Sequence, residues 1–169
     1  VLNKDANIGD SAANYFNVVR DTIFEIGLTP NRADAMSHYG VARDLLAALK
    51  FKKLLPTSSA LKAIPEKLHI EIRKNTEINI SIEDSGQCQR YTGIVIKNIQ
   101  VKPSPKWLKD KLESIGIKPI NNIVDVTNYV LHHLGQPLHA FDLDEIIGKE
   151  IKVRAPKDQT LFTTLDGQE

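Results

Sequence analysis

An α+β fold, with mixed or antiparallel sheets and a few packed helices, is predicted from three features of the sequence. Ala42, Leu45, Leu46 and Leu49 recur with the spacing of one buried helical face. Ile78, Ile80 and Ile82 alternate with Asn79 and Ser81, as in a half-buried strand. Two further helices are bracketed by start and stop signals, Ser104-Pro105 with Gly116, and Asn121-Asn122 with Gly135.

In chain order, residues 21–25 read as a short extended segment with Ile23 inward, before Gly27 and the turn-rich Thr29-Pro30-Asn31-Arg32. The helix carrying Ala42 to Leu49 follows, with Arg43, Asp44 and Lys50 elsewhere on its cylinder, and ends near residues 51–55. Pro56-Thr57-Ser58-Ser59 reads as a connection and gives the expected internal boundary, with one module over 1–58 and another over 59–169. Beyond it Ile70 and Ile72, then Ile78 to Ile82, alternate as strands. After the Ser85-Gly86 turn, residues 91–101 are apolar at every position from 94 to 96, the pattern of a more central strand.

Ser104 is expected as N-cap with Pro105 at the first helical position, and Trp107, Leu108, Leu112 and Ile115 as the apolar face. The next helix is expected from Asn121 or Asn122 to Leu134, with Ile123, Val126, Val130 and Leu134 toward the core. Residues 149–154 read as a strand with Ile151 and Val153 inward, and 160–165 as another leading into Asp166-Gly167, a hairpin signal. The sequence ends two residues after that turn, so the last strand lacks its expected partner. This pattern is read as a truncated, multi-module fragment. No internal repeat or low-complexity tract is present.

Composition excludes several classes. The 169 residues are 41% hydrophobic and 25% charged, ordinary for a globular protein with an apolar core. No apolar run reaches the roughly 20 residues of a spanning helix, and no basic segment leads into an apolar core as in a secretory signal. A cytoplasmic setting is the expectation. Cys88 is the single cysteine, which precludes an internal disulfide and suits a small buried side chain. With 22 basic against 21 acidic side chains, any contact with nucleic acid must be local. Lys50, Lys52 and Lys53, and the group Lys102, Lys106, Lys109, Lys111 and Lys118, are candidates for such a contact, though a solvated helix face is the first reading of lysines like these.

The sequence holds no phosphate-cradling glycine loop, no Cys-x-x-Cys pair and no His-Glu-x-x-His. His132, His133 and His139 are the histidine cluster, but His132 and His133 point about 100° apart on a helix, so no metal site is expected. His139 lies in Gly135-Gln136-Pro137-Leu138-His139-Ala140-Phe141-Asp142, where proline and apolar neighbours can hold an imidazole at a pocket edge. On residue chemistry alone a surface or hydrogen-bonded structural histidine is the first reading and a catalytic one the second. Thr127 falls beside the inward helix face, its hydroxyl needing a ligand or its own helix carbonyl. Asp125 and Asn128, three apart, could share a face for capping, packing or binding.

Six stretches resemble one family. Residues 25–34 (EIGLTPNRAD) with 40–44 (GVARD) are similar to the end of the first module of the bacterial-type phenylalanyl-tRNA synthetase beta subunit. Residues 88–91 (CQRY), 124–129 (VDVTNY), 135–142 and 164–167 (TLDG) resemble successive marks of its editing domain, in the family's order and spacing. Membership would imply a parent aminoacyl-tRNA synthetase, an α2β2 heterotetramer with an alpha subunit that attaches phenylalanine to tRNA(Phe) using ATP and magnesium. The beta subunit's editing domain would hydrolyse mischarged tyrosyl-tRNA(Phe). The same resemblance implies that His139 positions water or the terminal ribose, that Thr127 binds near the ester, and that Asn128 and Gln136 shape the pocket.

Lys118 stands where the family usually has arginine, retaining the charge for a tRNA phosphate but not the bidentate fork. Gln89 replaces a usual proline. A pocket that hydrogen-bonds the tyrosine hydroxyl rejects phenylalanine because its own buried polar groups would be left unpaired. The glutamate expected to read that hydroxyl belongs to the second half of the domain, outside this sequence. The fragment alone is therefore expected to hydrolyse nothing and to need no cofactor. Two alternatives fit the same residues: a non-catalytic tRNA-binding or subunit-assembly module, and a free-standing relative that edits in trans.

Overall fold

The structure, a computed structural model, describes residues 6–18, 21–62, 77–156, 160–163 and 167–168. Its elements in order are α1 (Ala12–Tyr15), a 3-10 turn (Ala33–Ala35), α2 (His38–Phe51), β1 (Asn79–Ile82), α3 (Lys106–Glu113), α4 (Asn122–Leu134), a second 3-10 turn (Ile147–Lys149) and β2 (Glu150–Val153). The class is α+β. No helix among the described residues is long and apolar enough to cross a membrane. The chain forms two compact units, one of Val1–Leu61 with Lys102–Leu138, the other of Lys62–Val101 with His139–Glu169.

The first unit is helical. Ser37 caps α2 by accepting from the Gly40 N–H at 2.9 Å, and α2 packs against the turn at Ala33–Ala35 and against α4. Gly40 is required by that approach: an added Cβ would stand 2.3 Å from the Asp34 carbonyl oxygen. Ala42, Leu46 and Leu49 are half-buried as their spacing predicts, whereas Leu45 is exposed. The buried stripe is thus narrower than the sequence pattern, because α2 meets its neighbours along one edge. Leu108 and Leu112, one helical turn apart on α3, are 1% exposed and form the interior against α4.

α3 begins one residue later than expected. Pro105 is extended (φ −63°, ψ 153°) and occupies the cap position, so Ser104 lies outside the helix. Its hydroxyl donates instead to the Asp125 carboxyl on α4. α4 has the predicted limits. Asn121 accepts from the N–H groups of Ile123 and Val124, each at 3.0 Å, and Gly135 closes the helix with φ 79° while donating to the Leu131 carbonyl at 2.8 Å. Within it Ile123, Val130 and Leu134 are half-buried, but Val126 is exposed.

The second unit contains the sheet. β1 and β2 pair in parallel, in register Asn79 with Glu150, Ile80 with Ile151, Ser81 with Lys152 and Ile82 with Val153. A parallel pair needs a long crossover, and here the intervening chain includes both α3 and α4. Ile78, Ile80, Ile82, Ile151 and Val153 are half-buried, as alternation predicts.

One predicted strand is absent, and one expected inward residue is not inward. Residues 21–25, expected as a short extended segment, carry no regular element, and Ile23 is exposed rather than inward. Residues 91–101 do not form the predicted strand: Ile94 and Ile96 are 65% and 66% exposed, and Asn98 turns the backbone to φ 60°. An apolar run becomes a strand only when a neighbour satisfies its backbone N–H and C=O groups, and no described segment pairs with either stretch. The predicted strand at Ile70 and Ile72 lies outside the described residues, as do positions 164–166 of the predicted hairpin; the described part, 160–163, is not strand.

Candidate functional site

The first turn of α4 is fixed by three polar residues. Asn121 supplies the cap, Asn122 accepts from the Lys102 N–H through its side chain and donates from its backbone to the Lys102 carbonyl, both at 2.9 Å. Asp125 then turns fully inward. Its carboxyl accepts from the Ser104 hydroxyl at 2.5 Å and from the Ile120 N–H at 2.8 Å, so both oxygens are engaged in an otherwise apolar interior. Ser104 is buried as well. Burial of a polar group is costly unless it is hydrogen-bonded, and this arrangement meets that requirement.

Thr127 and Asn128 follow on the same helix, both half-buried. The Thr127 hydroxyl donates to the Val124 carbonyl at 2.7 Å, a bond back to its own helix. The oxygen keeps its lone pairs for an incoming donor. Gln136 follows the Gly135 stop, exposed, its amide reaching the Pro137 carbonyl at 3.4 Å. Lys118 is exposed in the loop after α3, lining a shallow depression of about 270 Å³ with Glu113, Gly116, Ile117 and Pro119. These four residues belong to the helical unit, and His139 opens the second segment of the other.

His139 is exposed, its ring stacked on Phe141 with centroids 6.0 Å apart and planes inclined by 20°. The chain beyond is tightened by local bonds. Asp142 accepts from the Asp144 N–H at 3.0 Å, and the Lys149 ammonium reaches the Leu143 carbonyl. The other histidines are used differently. His133 stacks on Tyr129 at 5.3 Å, Tyr129 meets Trp107 edge-to-face at 5.6 Å, and the His132 carbonyl accepts from the His38 ring at 2.9 Å. Among the described residues no three His, Cys, Asp or Glu side chains converge as metal ligands. Cys88 is half-buried, its thiol 3.6 Å from the Arg90 carbonyl.

A separate charge cluster joins the Thr29–Asp34 turn to α2. Arg32 bonds Asp34 at 3.0 Å and Asp44 at 2.5 Å, and Arg43 bonds Asp34 at 2.5 Å. The hydrogen bond from Arg32 holds the Asp34 carboxyl below its ordinary range, and the Asp34 and Asp44 carboxylates hold Arg32 above its own. With their charge matched, these arginines anchor a turn. Sequence reading did not assign the paired role of Ser104 and Asp125. The available signal was an acid set among valines in Val124-Asp125-Val126, in a helix whose first turn favours negative charge.

Residues 87–169, a span that takes in α3, α4 and β2, match the B3/4 domain family. Over the whole chain the sequence is 46% identical to the phenylalanine–tRNA ligase beta subunit of Bacteroides fragilis and 48% identical to that of Porphyromonas gingivalis. It is 44% identical, over 99% of its length, to the beta subunit of Fusobacterium nucleatum. The chain belongs to the phenylalanine–tRNA ligase beta-subunit family, and it spans about 20% of the length of these relatives.

Proposed function

We propose that this chain is the part of a phenylalanine–tRNA ligase beta subunit that contributes to hydrolytic editing of tyrosyl-tRNA(Phe). The observation that carries this reading is the B3/4 match over residues 87–169, which takes in α4, its Gly135 stop and the His139 loop together. The parent enzyme attaches phenylalanine to tRNA(Phe) with ATP and magnesium, in the cytoplasm, as an α2β2 assembly with the alpha subunit. Residues 1–58 close the first module and 59–169 open the editing domain.

In this reading His139 orients the attacking water or the terminal ribose. Its exposed imidazole, braced by Phe141, has the access such a role needs. Thr127 binds beside the ester; its hydroxyl donates to Val124 and so presents lone pairs to a ribose hydroxyl. Asn128 and Gln136 shape the binding surface, and Lys118 meets a tRNA phosphate as a point charge. Ester hydrolysis by this route is assembled from positioned water and hydrogen bonds.

The test is deacylation of tyrosyl-tRNA(Phe) by the intact subunit assembly. Combined His139→Ala and Thr127→Ala is expected to lower the rate about 100-fold while phenylalanine attachment persists. Unchanged hydrolysis removes both residues from the reaction and leaves a tRNA-binding or assembly module.

A further inference from the structure

The buried carboxyl of Asp125 touches no surface, yet it occupies the turn immediately before Thr127 and Asn128. Its two oxygens tie α4 to two other places in the chain, the hydroxyl of Ser104 just before α3 and the backbone of Ile120 just before α4. Together with the reciprocal Asn122–Lys102 bonds, these contacts leave α4 one rotational setting. Successive residues on a helix are separated by about 100°, so a slip that turned Asp125 away from Ser104 would swing Thr127 and Asn128 through the same angle.

We infer that Asp125 is a positioning residue for the proposed editing reaction, its buried carboxyl setting the direction in which Thr127 and Asn128 face the substrate. The inference rests on the editing reading and adds to it a residue that contacts no substrate. Apolar packing alone leaves a helix free to settle into neighbouring settings of similar energy, because Leu108 and Leu112 can be covered by several side chains. A carboxyl with two directional donors has a single arrangement that leaves no buried donor unpaired. Asparagine at 125 keeps the shape and both contacts: its amide oxygen accepts from Ile120 and one amide N–H donates to the Ser104 oxygen, at the cost of the other amide N–H and the Ser104 O–H left without acceptors. Alanine at 125 leaves the Ser104 hydroxyl and the Ile120 N–H without partners.

Two measurements on the intact subunit assembly decide it. In the first, thiols introduced singly by Thr127→Cys and Asn128→Cys are labelled with a maleimide, and the rates are read by peptide mass, with and without Asp125→Ala. Because the two positions lie about 100° apart, rotation exposes one as it covers the other, and the ratio of rates is expected to shift about threefold or more. Asp125→Asn is expected to keep the original ratio. In the second, Asp125→Ala is expected to lower kcat for tyrosyl-tRNA(Phe) deacylation about 10- to 100-fold, with KM and phenylalanine attachment little changed. Asp125→Asn restores most of that kcat.

An unchanged labelling ratio in a folded Asp125→Ala assembly overturns the inference, as does a parallel fall in deacylation and phenylalanine attachment. If the unaltered assembly fails to deacylate tyrosyl-tRNA(Phe), the editing reading falls, and the labelling ratio by itself still shows whether Asp125 sets the helix. Should Asp125→Ala not assemble, Ser104→Ala removes one of the two bonds, and a shift of the ratio in the same direction is the expected result; no shift overturns the inference.

Discussion

The α3–α4 pair and the stretch from His139 to Val153 illustrate two ways of holding residues in place. Around the helix pair, Leu108, Leu112, Ser104 and Asp125 are all buried, and the helix ends are closed by Asn121 and Gly135. Among the described residues of the other unit none is fully buried; its order comes from four paired strand positions and from side-chain bonds such as Asp142 to the Asp144 N–H. Thr127 and Asn128 thus stand on a support with an interior beneath it, and His139 on one defined by local turns. In the proposed reaction the helix supplies geometry and the loop supplies access.

The largest test of this contrast is the removal of interior volume. Leu112→Ala is expected to cost about 3 kcal/mol through lost burial and the cavity left behind. The matching change in the other unit, Ile147→Ala at a side chain 95% exposed, should cost less than about 0.5 kcal/mol. Urea unfolding of both variants checks the pair, and equal losses would erase the distinction. Next comes the cap. Asn121→Ala leaves the Ile123 and Val124 N–H groups to solvent and should cost about 1 kcal/mol, read from the shift in urea midpoint.

The smallest effect belongs to the exposed cluster of Arg32, Arg43, Asp34 and Asp44, which shares the helical unit but not its interior. Because the Asp34 carboxyl is held below its ordinary value of 3.8, folding favours its ionised form. The advantage of the unaltered chain over Asp34→Asn is therefore complete above pH 3.8 and lost as the pH falls below it. Added salt should shrink it further. A urea midpoint series across that pH range, at low and high salt, measures the difference; an advantage that grows on acidification would contradict the assigned cause.

Signals confined to neighbouring residues were legible. Asn121, Gly135 and the periodicity between them defined α4, because capping and left-handed closure depend on groups within one helical turn. The alternation at Ile78 to Ile82 and at Ile151 to Val153 located both strands for a similar reason. The continuous run at 94–96 misled, since being apolar does not supply a hydrogen-bonding neighbour. Among site residues, the resemblance singled out Thr127 and His139 from motif order, and the structure adds that Thr127 is bonded to its own helix while His139 is exposed. Ser104 read as a helix cap; only its neighbour in space, Asp125, made it a clamp.

By itself, then, the sequence determined the α+β class, the ends of α4 and the family, all of which are written in local spacing and in ordered motifs. The tertiary structure decided that Ile80 pairs in parallel with Ile151, that Trp107 and Tyr129 meet edge-to-face, and that Asp125 is buried against Ser104 and Ile120. Each of those depends on which distant donor or surface arrives beside a residue. Hydrogen bonds and burial are settled by that arrival, and residue spacing along the chain does not encode it.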